Sequence, residues 1–203
     1  EDKLALAKIA FEVAVRANRV TPFTLNSLMC LILMGAAPRG MTASELLTGV
    51  LYFMEWGRRR GVRMAATLEA VAEKGIDAPV GTLLNSGLFI RYDQGSETVY
   101  AVEPTKHPVA SYYRNTIIHH FLDRAIIELS LLKARELHRQ PAVEVFWAET
   151  GRLRDLFKFE FFYPDKEEFR ANLETELGRV DDDWREKLEQ GGERLHSLLN
   201  RFQ

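Results

Sequence analysis

The sequence predicts a mainly α-helical fold, in which a helical domain with a winged-helix-like section containing one β-hairpin is followed by long helices. Apolar residues recur every three or four positions along most of the 203 residues, as they do on the buried side of a helix. Residues 88–92 and 98–102 are instead β-branched and aromatic runs, and the polar, glycine-bearing segment 93–96 joins them as a hairpin turn. Three helices followed by a hairpin is the order of a winged helix.

The helices before the hairpin are delimited by breakers and caps. Pro22 ends the first helix, because proline lacks the amide that a continuing helix needs. Thr42 with Glu45 three residues later is a capping box, which predicts the start of the third helix. The predicted helices in this part of the chain are 3–18, 23–35, 42–59, 64–74 and a short one at 80–85.

After the hairpin the chain returns to helix. The apolar pattern predicts one rod over residues 109–139, stopped by Pro141, and then helices at 143–157, 166–178 and 184–202. The acidic run 181–183 before Trp184 predicts an N-cap with favourable dipole charge. We divide the chain into a leading helix and connector (1–19), a winged-helix-like subdomain (20–105) and a helical subdomain (106–203).

Composition excludes several classes of protein. The net charge of −2 gives no overall basic field to attract nucleic acid, and 46% hydrophobic residues is ordinary for a soluble domain. A single cysteine, Cys30, excludes an internal disulfide, and its apolar neighbours predict a buried free thiol. We see no signal peptide, and the longest apolar run, 28–37, is too short to span a bilayer. The start at Glu1 rather than Met leads us to expect a piece of a longer protein.

A polar lane runs along the predicted rod. Asn115, His119 and Asp123 recur every four residues and so face the same way. In one interpretation, Asp123 orients His119 so that the histidine can act as a base. In the other, which we favour, the three side chains are buried and form hydrogen bonds with one another and with nearby backbone. Arg114 at the start of the rod suits a phosphate or carboxylate ligand, but we expect an interdomain salt bridge.

An arginine cluster follows Trp56 in the sequence WGRRRGVR. One interpretation is a solvated helix C-terminus, where cations complement the helix dipole. The other is contact with lipid headgroups, with the phosphates of an acyl-thioester carrier or with nucleic acid. The candidate residues for membrane or phosphate contact are Arg58, Arg59, Arg60 and Arg63.

Residues 157–163, FKFEFFY, form what we call the aromatic connector. In an extended segment the alternation would place Phe157, Phe159 and Phe161 on one side. An exposed patch of this kind would be a docking surface for a partner or a membrane. A covered one would be core between the last helices, and the sequence leaves both open.

The segment 111–121, SYYRNTIIHHF, resembles part of the C-terminal region of the bacterial glycerol-3-phosphate 1-O-acyltransferase family. Four further features agree with this resemblance and occur in the expected order over most of residues 20–163. They are Val-Thr-Pro at 20–22 before an apolar helix, PRGMT at 38–42 before a Glu-Leu-Leu helix, the hairpin directly before SYYRN, and LRDLFKFEFFY at 153–163.

The resemblance implies a function in phospholipid synthesis, namely acyl transfer from acyl-CoA or an acyl-carrier thioester to the sn-1 hydroxyl of glycerol 3-phosphate. It implies no cofactor, and it implies a peripheral location at the cytoplasmic face of the membrane. The family's catalytic motif is His-x-x-x-x-Asp, and none of the five histidines here is followed by Asp at that spacing. We therefore expect a non-catalytic domain, inactive alone, that packs on the catalytic domain. The candidate interdomain or ligand-facing residues are Tyr112, Tyr113, Arg114, Asn115 and His119.

Two alternatives stay open at this point. A winged-helix regulator would use the arginine cluster and hairpin on DNA, but Glu69 and Glu73 lie on its expected recognition helix, where base-reading residues would be Arg, Lys, Asn or Gln. A helical adaptor would dock on a partner without binding any ligand. The sequence leaves the oligomeric state open.

Overall fold

The computed structural model describes the backbone of residues 2–203 and the side chains at positions 6, 8–71, 73, 75–76, 80–81 and 83–203. The helices are α1 (Asp2–Val20), α2 (Leu25–Ala36), α3 (Ala43–Arg58), α4 (Ala66–Lys74), α5 (Asp77–Leu84), α6 (His107–Asn115), α7 (Leu122–Glu136), α8 (Ala142–Phe157), α9 (Lys166–Val180), α10 (Trp184–Gln190) and α11 (Gly192–Asn200). The strands are β1 (Met41–Thr42), β2 (Phe89–Tyr92) and β3 (Val99–Val102), and short 3₁₀ helices cover Pro104–Lys106 and Ile118–Phe121. Helix predominates, which confirms the predicted fold class.

The chain divides into two compact units. The sheet unit is Ala17–His119, and the bundle unit is His120–Gln203 together with Glu1–Arg16. Each unit has its own buried apolar residues. The subdomain boundaries predicted from the sequence, 1–19, 20–105 and 106–203, stay a prediction.

The sheet unit has the element order of a winged helix. The helices predicted before the hairpin are all present, each within three residues of its predicted bounds, and the predicted hairpin is confirmed as β2 and β3. The sheet is antiparallel with strand order β1-β3-β2, and its register pairs Met41 with Tyr100 and Phe89 with Val102. The strand β1 was not predicted, because two residues are too few to show an alternating pattern.

Two capping boxes begin helices of this unit. The Thr42 hydroxyl accepts the Glu45 amide at 3.2 Å while the Glu45 carboxylate accepts the Thr42 amide at 2.9 Å, which confirms the predicted box at α3. Thr24 and Ser27 form a second box at α2. Helix α2 then buries Cys30 completely, as the sequence predicts.

The bundle unit packs α7 against α8, α9 and α11, and α10 against α8 and α11. Phe146, Trp184 and Phe202 are buried among the leucines and isoleucines of its core. The predicted last helix, 184–202, is wrong in one respect, because it is divided into α10 and α11. Gly191 lies between them at φ +66°, a left-handed conformation that glycine adopts without strain.

The predicted rod over residues 109–139 is also wrong. Helix α6 ends at Asn115, a 3₁₀ segment covers Ile118–Phe121, and α7 begins only at Leu122. The Thr116 hydroxyl donates to the Tyr113 carbonyl at 2.6 Å, and the Ile117 amide bonds to the Arg114 carbonyl at 3.1 Å. These bonds tighten the last turn of α6 at a run of β-branched residues, which lose side-chain freedom in a helix.

The acidic run 181–183 serves a different purpose from the predicted one. Asp183 occupies the N-cap position of α10, but its side chain makes no capping hydrogen bond. Instead, the Asp181 carboxylate accepts a hydrogen bond from the Asp183 amide at 3.0 Å. Asp181 is buried and Asp183 is exposed, so the acid that stabilises this corner lies two residues earlier than predicted.

Candidate functional site

The Tyr-Tyr-Arg-Asn segment forms the last turn of α6 in the sheet unit. Ala110 on the other side of the helix is fully buried, and α6 packs against α2. This packing turns Tyr112 outward, so that it is 68% exposed, while Tyr113 is half-buried with the two ring centroids 5.7 Å apart. An exposed tyrosine beside a half-buried one presents apolar surface with hydroxyl groups to whatever covers it.

Arg114 follows these two tyrosines in the last turn of α6. Its Nε and Nη2 donate to the Asn115 side-chain oxygen at 3.1 and 3.0 Å, and it forms no ion pair with an acid of the described residues. Burial raises the pKa of the Cys30 thiol to about 12, and the nearby Arg114 charge lowers that pKa by a smaller amount. The interdomain salt bridge expected of Arg114 stays a prediction.

His119 lies in the 3₁₀ segment after α6. Its Nε2 is 2.7 Å from the Asn18 carbonyl oxygen. This is a hydrogen bond to the backbone, as expected if the histidine has a structural role and is not a base. The continuous lane of Asn115, His119 and Asp123 is wrong, because the helix is interrupted between the first and the last of them and Asn115 is exposed.

The arginine cluster lies at the C-terminal end of α3. Arg59 pairs with Glu55 at 2.8 Å, and the Arg60 guanidinium lies 4.1 Å from the Trp56 ring centroid. Arg58 and Arg63 are exposed, and neither makes an ion pair with the described residues. The cluster thus lies at a helix C-terminus, as the first interpretation of the sequence expects. Contact of these arginines with lipid or phosphate stays a prediction.

The aromatic connector follows α8 in the bundle unit, and its predicted alternation is wrong. The Glu160 and Phe161 amides bond to the Phe157 carbonyl at 2.9 and 3.0 Å, so the connector begins with a turn rather than an extended strand. The turn leaves Phe159 87% exposed, whereas Tyr163 is buried against Phe169 with ring centroids 5.5 Å apart. The connector is therefore core at Tyr163 and surface at Phe159.

Both units contain a cleft that is lined by described residues. A cleft of about 510 Å³ in the sheet unit lies between the end of α2 and the sheet, with His107 and Arg39 among mostly apolar residues. A cleft of about 370 Å³ in the bundle unit is lined by Trp147, Arg154, Lys166 and neighbouring residues of α8 and α9. Neither lining combines a histidine with a carboxylate, which is the pair needed for base catalysis on a hydroxyl.

Two other kinds of feature, a metal site and a membrane-spanning helix, are absent from the described part of the chain. No group of three or more His, Cys, Asp or Glu residues there is arranged to hold a metal ion. Within the same residues, no helix combines the length and the apolar character required to cross a bilayer.

Comparison with known proteins identifies the family. The family described as "Glycerol-3-phosphate acyltransferase C-terminal region" matches residues 1–202. The chain belongs to this family. The resemblance seen in the sequence is thereby confirmed, and neither the fold nor the comparisons favour the DNA-binding alternative.

Curated relatives agree with this family. Proteins named "Putative acyltransferase plsB1" from Mycobacterium bovis and Mycobacterium tuberculosis are 34% identical to this chain over 174 residues, which is 85% of the chain. The chain spans 28% of the length of these relatives. No solved structure matches it.

Proposed function

We propose that this chain is the non-catalytic C-terminal domain of a glycerol-3-phosphate acyltransferase and that it packs on and supports the catalytic domain. The proposal is supported by the match of residues 1–202 to the C-terminal family, in a chain that spans 28% of the length of its relatives. The reaction of the whole enzyme is acyl transfer from acyl-CoA or an acyl-carrier thioester to the sn-1 hydroxyl of glycerol 3-phosphate.

The chemistry of the chain supports a non-catalytic role. Deprotonating a hydroxyl requires a positioned base, and a histidine in that role is held in one tautomer by a carboxylate. No histidine of this sequence has Asp five positions later, and neither cleft is lined by a histidine with an acid. The chain therefore contributes structure, and the catalytic base lies in another part of the enzyme.

The surface of the Tyr-Tyr-Arg-Asn segment supports docking. Tyr112 is exposed, and Arg114 makes no ion pair with an acid of the described residues. Tyrosine and arginine are enriched where protein surfaces meet, because each combines apolar area with hydrogen-bonding groups. The residues near the contact with the catalytic domain are Tyr112, Tyr113, Arg114 and Asn115, together with the exposed Phe159 of the aromatic connector.

The same proposal places the enzyme at the cytoplasmic face of the membrane as a peripheral protein. Arg58 and Arg63 at the end of α3 support this location, since each exposed cation near an anionic lipid surface is worth about 1 kcal/mol. Sedimentation with anionic vesicles tests this part separately. The double variant R58Q/R63Q of the full-length enzyme should bind such vesicles more weakly, whereas a variant at the ion-paired Arg16 should not.

The main test is to produce this chain and the catalytic region of the same enzyme as two polypeptides in one cell. Co-purification, with acyl transfer to glycerol 3-phosphate that exceeds the activity of the catalytic region alone, is the expected result. Acyl transfer by the purified chain alone would contradict the proposal. So would two pieces that neither associate nor influence each other's activity.

A further inference from the structure

Helix α1 carries a row of exposed aliphatic side chains. Leu6, Ile9 and Val13 are spaced three and four residues apart, so they lie on one side of the helix. They are 69%, 60% and 60% exposed, although each is a residue that proteins normally bury. We call this row the α1 stripe.

The opposite side of α1 is also apolar and is less exposed than the stripe, with Phe11 at 44%. Phe11 lies roughly 180° from the stripe at 3.6 residues per turn, and its ring meets Phe162 edge-on with centroids 5.5 Å apart. Ala14 and Val15, on the same side as Phe11, are half-buried. A helix that is apolar on two opposite sides is normally packed between two layers, and the described residues supply only one of them.

We infer that the second layer is the catalytic domain of the same polypeptide, which docks on the α1 stripe. This inference rests on the proposed function and names the surface through which it is carried out. The family is defined as the C-terminal region of the acyltransferase, and the relatives are more than three times as long as this chain. The catalytic domain of such an enzyme belongs to the same polypeptide, and this covalent link gives it a high effective concentration at the stripe.

The charges of α1 distinguish a protein partner from a lipid surface. A helix that lies on a membrane has one apolar face and an opposite face that is charged and solvated. In α1 the opposite face is instead apolar, and its Phe11 ring contacts Phe162 of the bundle unit. Beside the stripe, Glu12 and Arg16 neutralise each other in a 2.6 Å ion pair, so the border of the stripe offers no unpaired cation from these positions to anionic headgroups.

The test uses the full-length enzyme with a specific protease site inserted before residue 1 of this chain. After cleavage, the two fragments of the folded enzyme are separated by gel filtration at decreasing concentrations. The wild-type fragments should elute together. The variant L6Q/I9Q/V13Q should separate at concentrations about a hundredfold higher, because three aliphatic side chains no longer leave water at the interface.

A matched control carries the same kind of change elsewhere. The variant L51Q/Y52Q/L129Q replaces three exposed apolar residues of α3 and α7, and its fragments should separate within threefold of the wild type. Glutamine is a good helix former and all six positions are exposed, so both variants should keep the circular dichroism spectrum of the wild type.

The outcomes distinguish a failure of the proposed function from a failure of the α1 stripe as the docking surface. If the wild-type fragments separate immediately after cleavage, the proposed function itself is contradicted. If the fragments of the wild type and of L6Q/I9Q/V13Q both stay together, only the assignment of the interface to α1 is overturned. The same holds if the fragments of the control variant separate as readily as those of the stripe variant. Light scattering and vesicle flotation of the same samples cover the other occupants. A dimer or a vesicle complex that L6Q/I9Q/V13Q abolishes would also overturn the assignment.

Discussion

The carboxylate of Asp181 and the ammonium group of Lys187 form an ion pair of 2.6 Å in the bundle unit. The two side chains are only 2% and 15% exposed. The same carboxylate oxygen accepts a second hydrogen bond, from Arg201 at 2.8 Å. Asp181 thus connects the end of α9 with α10 and with the residue after α11.

Replacement of Asp181 by asparagine should destabilise the chain at neutral pH. Asparagine keeps the shape but leaves the little-exposed Lys187 ammonium without its counter-ion, and breaking a buried pair costs about 3 kcal/mol. Urea unfolding at pH 7, followed by circular dichroism, measures this loss. The control is D182N, since Asp182 is an exposed neighbour, and it should change the free energy of unfolding by less than about 0.5 kcal/mol.

The pH dependence of stability supplies an independent check of the same ion pair. Burial alone would raise the pKa of Asp181, but hydrogen bonds from Lys187, Arg201 and the Asp183 amide outweigh it and hold the pKa below its ordinary 3.8. The folded state therefore binds this proton less readily than the unfolded state. The stabilisation is complete above the unfolded pKa and is lost as the pH falls through the folded one. As the pH falls below 3.8, the wild type should lose stability more steeply than D181N, and equal slopes there would contradict the assignment.

Gly57 in α3 marks a point of close packing in the sheet unit. A Cβ atom added there would lie 2.8 Å from the Phe23 ring and 2.7 Å from the end of Met64. The Phe23 ring is buried and stacked on Trp56, so it has little room to move. Although alanine favours helix, G57A should lower the free energy of unfolding by about 1–3 kcal/mol through overpacking.

Gly151 in α8 provides the matched control for this substitution. It is exposed, and a Cβ atom there would meet nothing within 4 Å. G151A should therefore show the helix propensity alone and raise the free energy of unfolding by about 0.5–1 kcal/mol. Thermal unfolding of both variants compares the two effects. A melting temperature of G57A that rises as that of G151A does would mean that the packing around Gly57 is looser than described.

Most of the fold could be predicted from local sequence signals. The Thr42–Glu45 box begins α3 and Pro22 follows the end of α1, because caps and breakers act over a few residues and are visible without tertiary information. The interruption after Asn115 could not be read in this way. The apolar pattern continues through it, and the 3₁₀ segment depends on bonds such as that from Thr116 to Tyr113.

In the candidate site, too, the features that depend on local sequence were predicted and those that depend on tertiary packing were not. The Tyr-Tyr-Arg-Asn order pointed to the family that the whole-chain match confirms. The α1 stripe was missed, because Leu6 and Val13 have the helical spacing of an ordinary buried face in the sequence. Only the packing of Phe11 against Phe162 shows which side of α1 is inside.

The thiol of Cys30 should be unreactive while the chain is folded. Burial raises its pKa to about 12, so at pH 8 only about one molecule in ten thousand carries the thiolate that reacts with disulfide reagents. Titration with such a reagent should give no modification in buffer and one thiol per chain in urea. The variant S96C, with a cysteine in the exposed hairpin turn, should react in buffer and shows that the reagent is competent. Modification of the wild type in buffer at the rate of S96C would contradict the buried position.

Tyr112 should contribute to association with the catalytic domain and little to stability. Its side chain is 68% exposed on α6, so replacement by serine removes almost no contact within the sheet unit. In the cleaved full-length enzyme, Y112S should weaken fragment association about tenfold or more, because tyrosines at the centre of an interface are frequent hot spots. The matched control is Y92S, which removes an equally large exposed ring from β2 and should leave association unchanged. Equal weakening by both variants would mean that loss of an exposed ring, rather than the position of Tyr112, causes the effect.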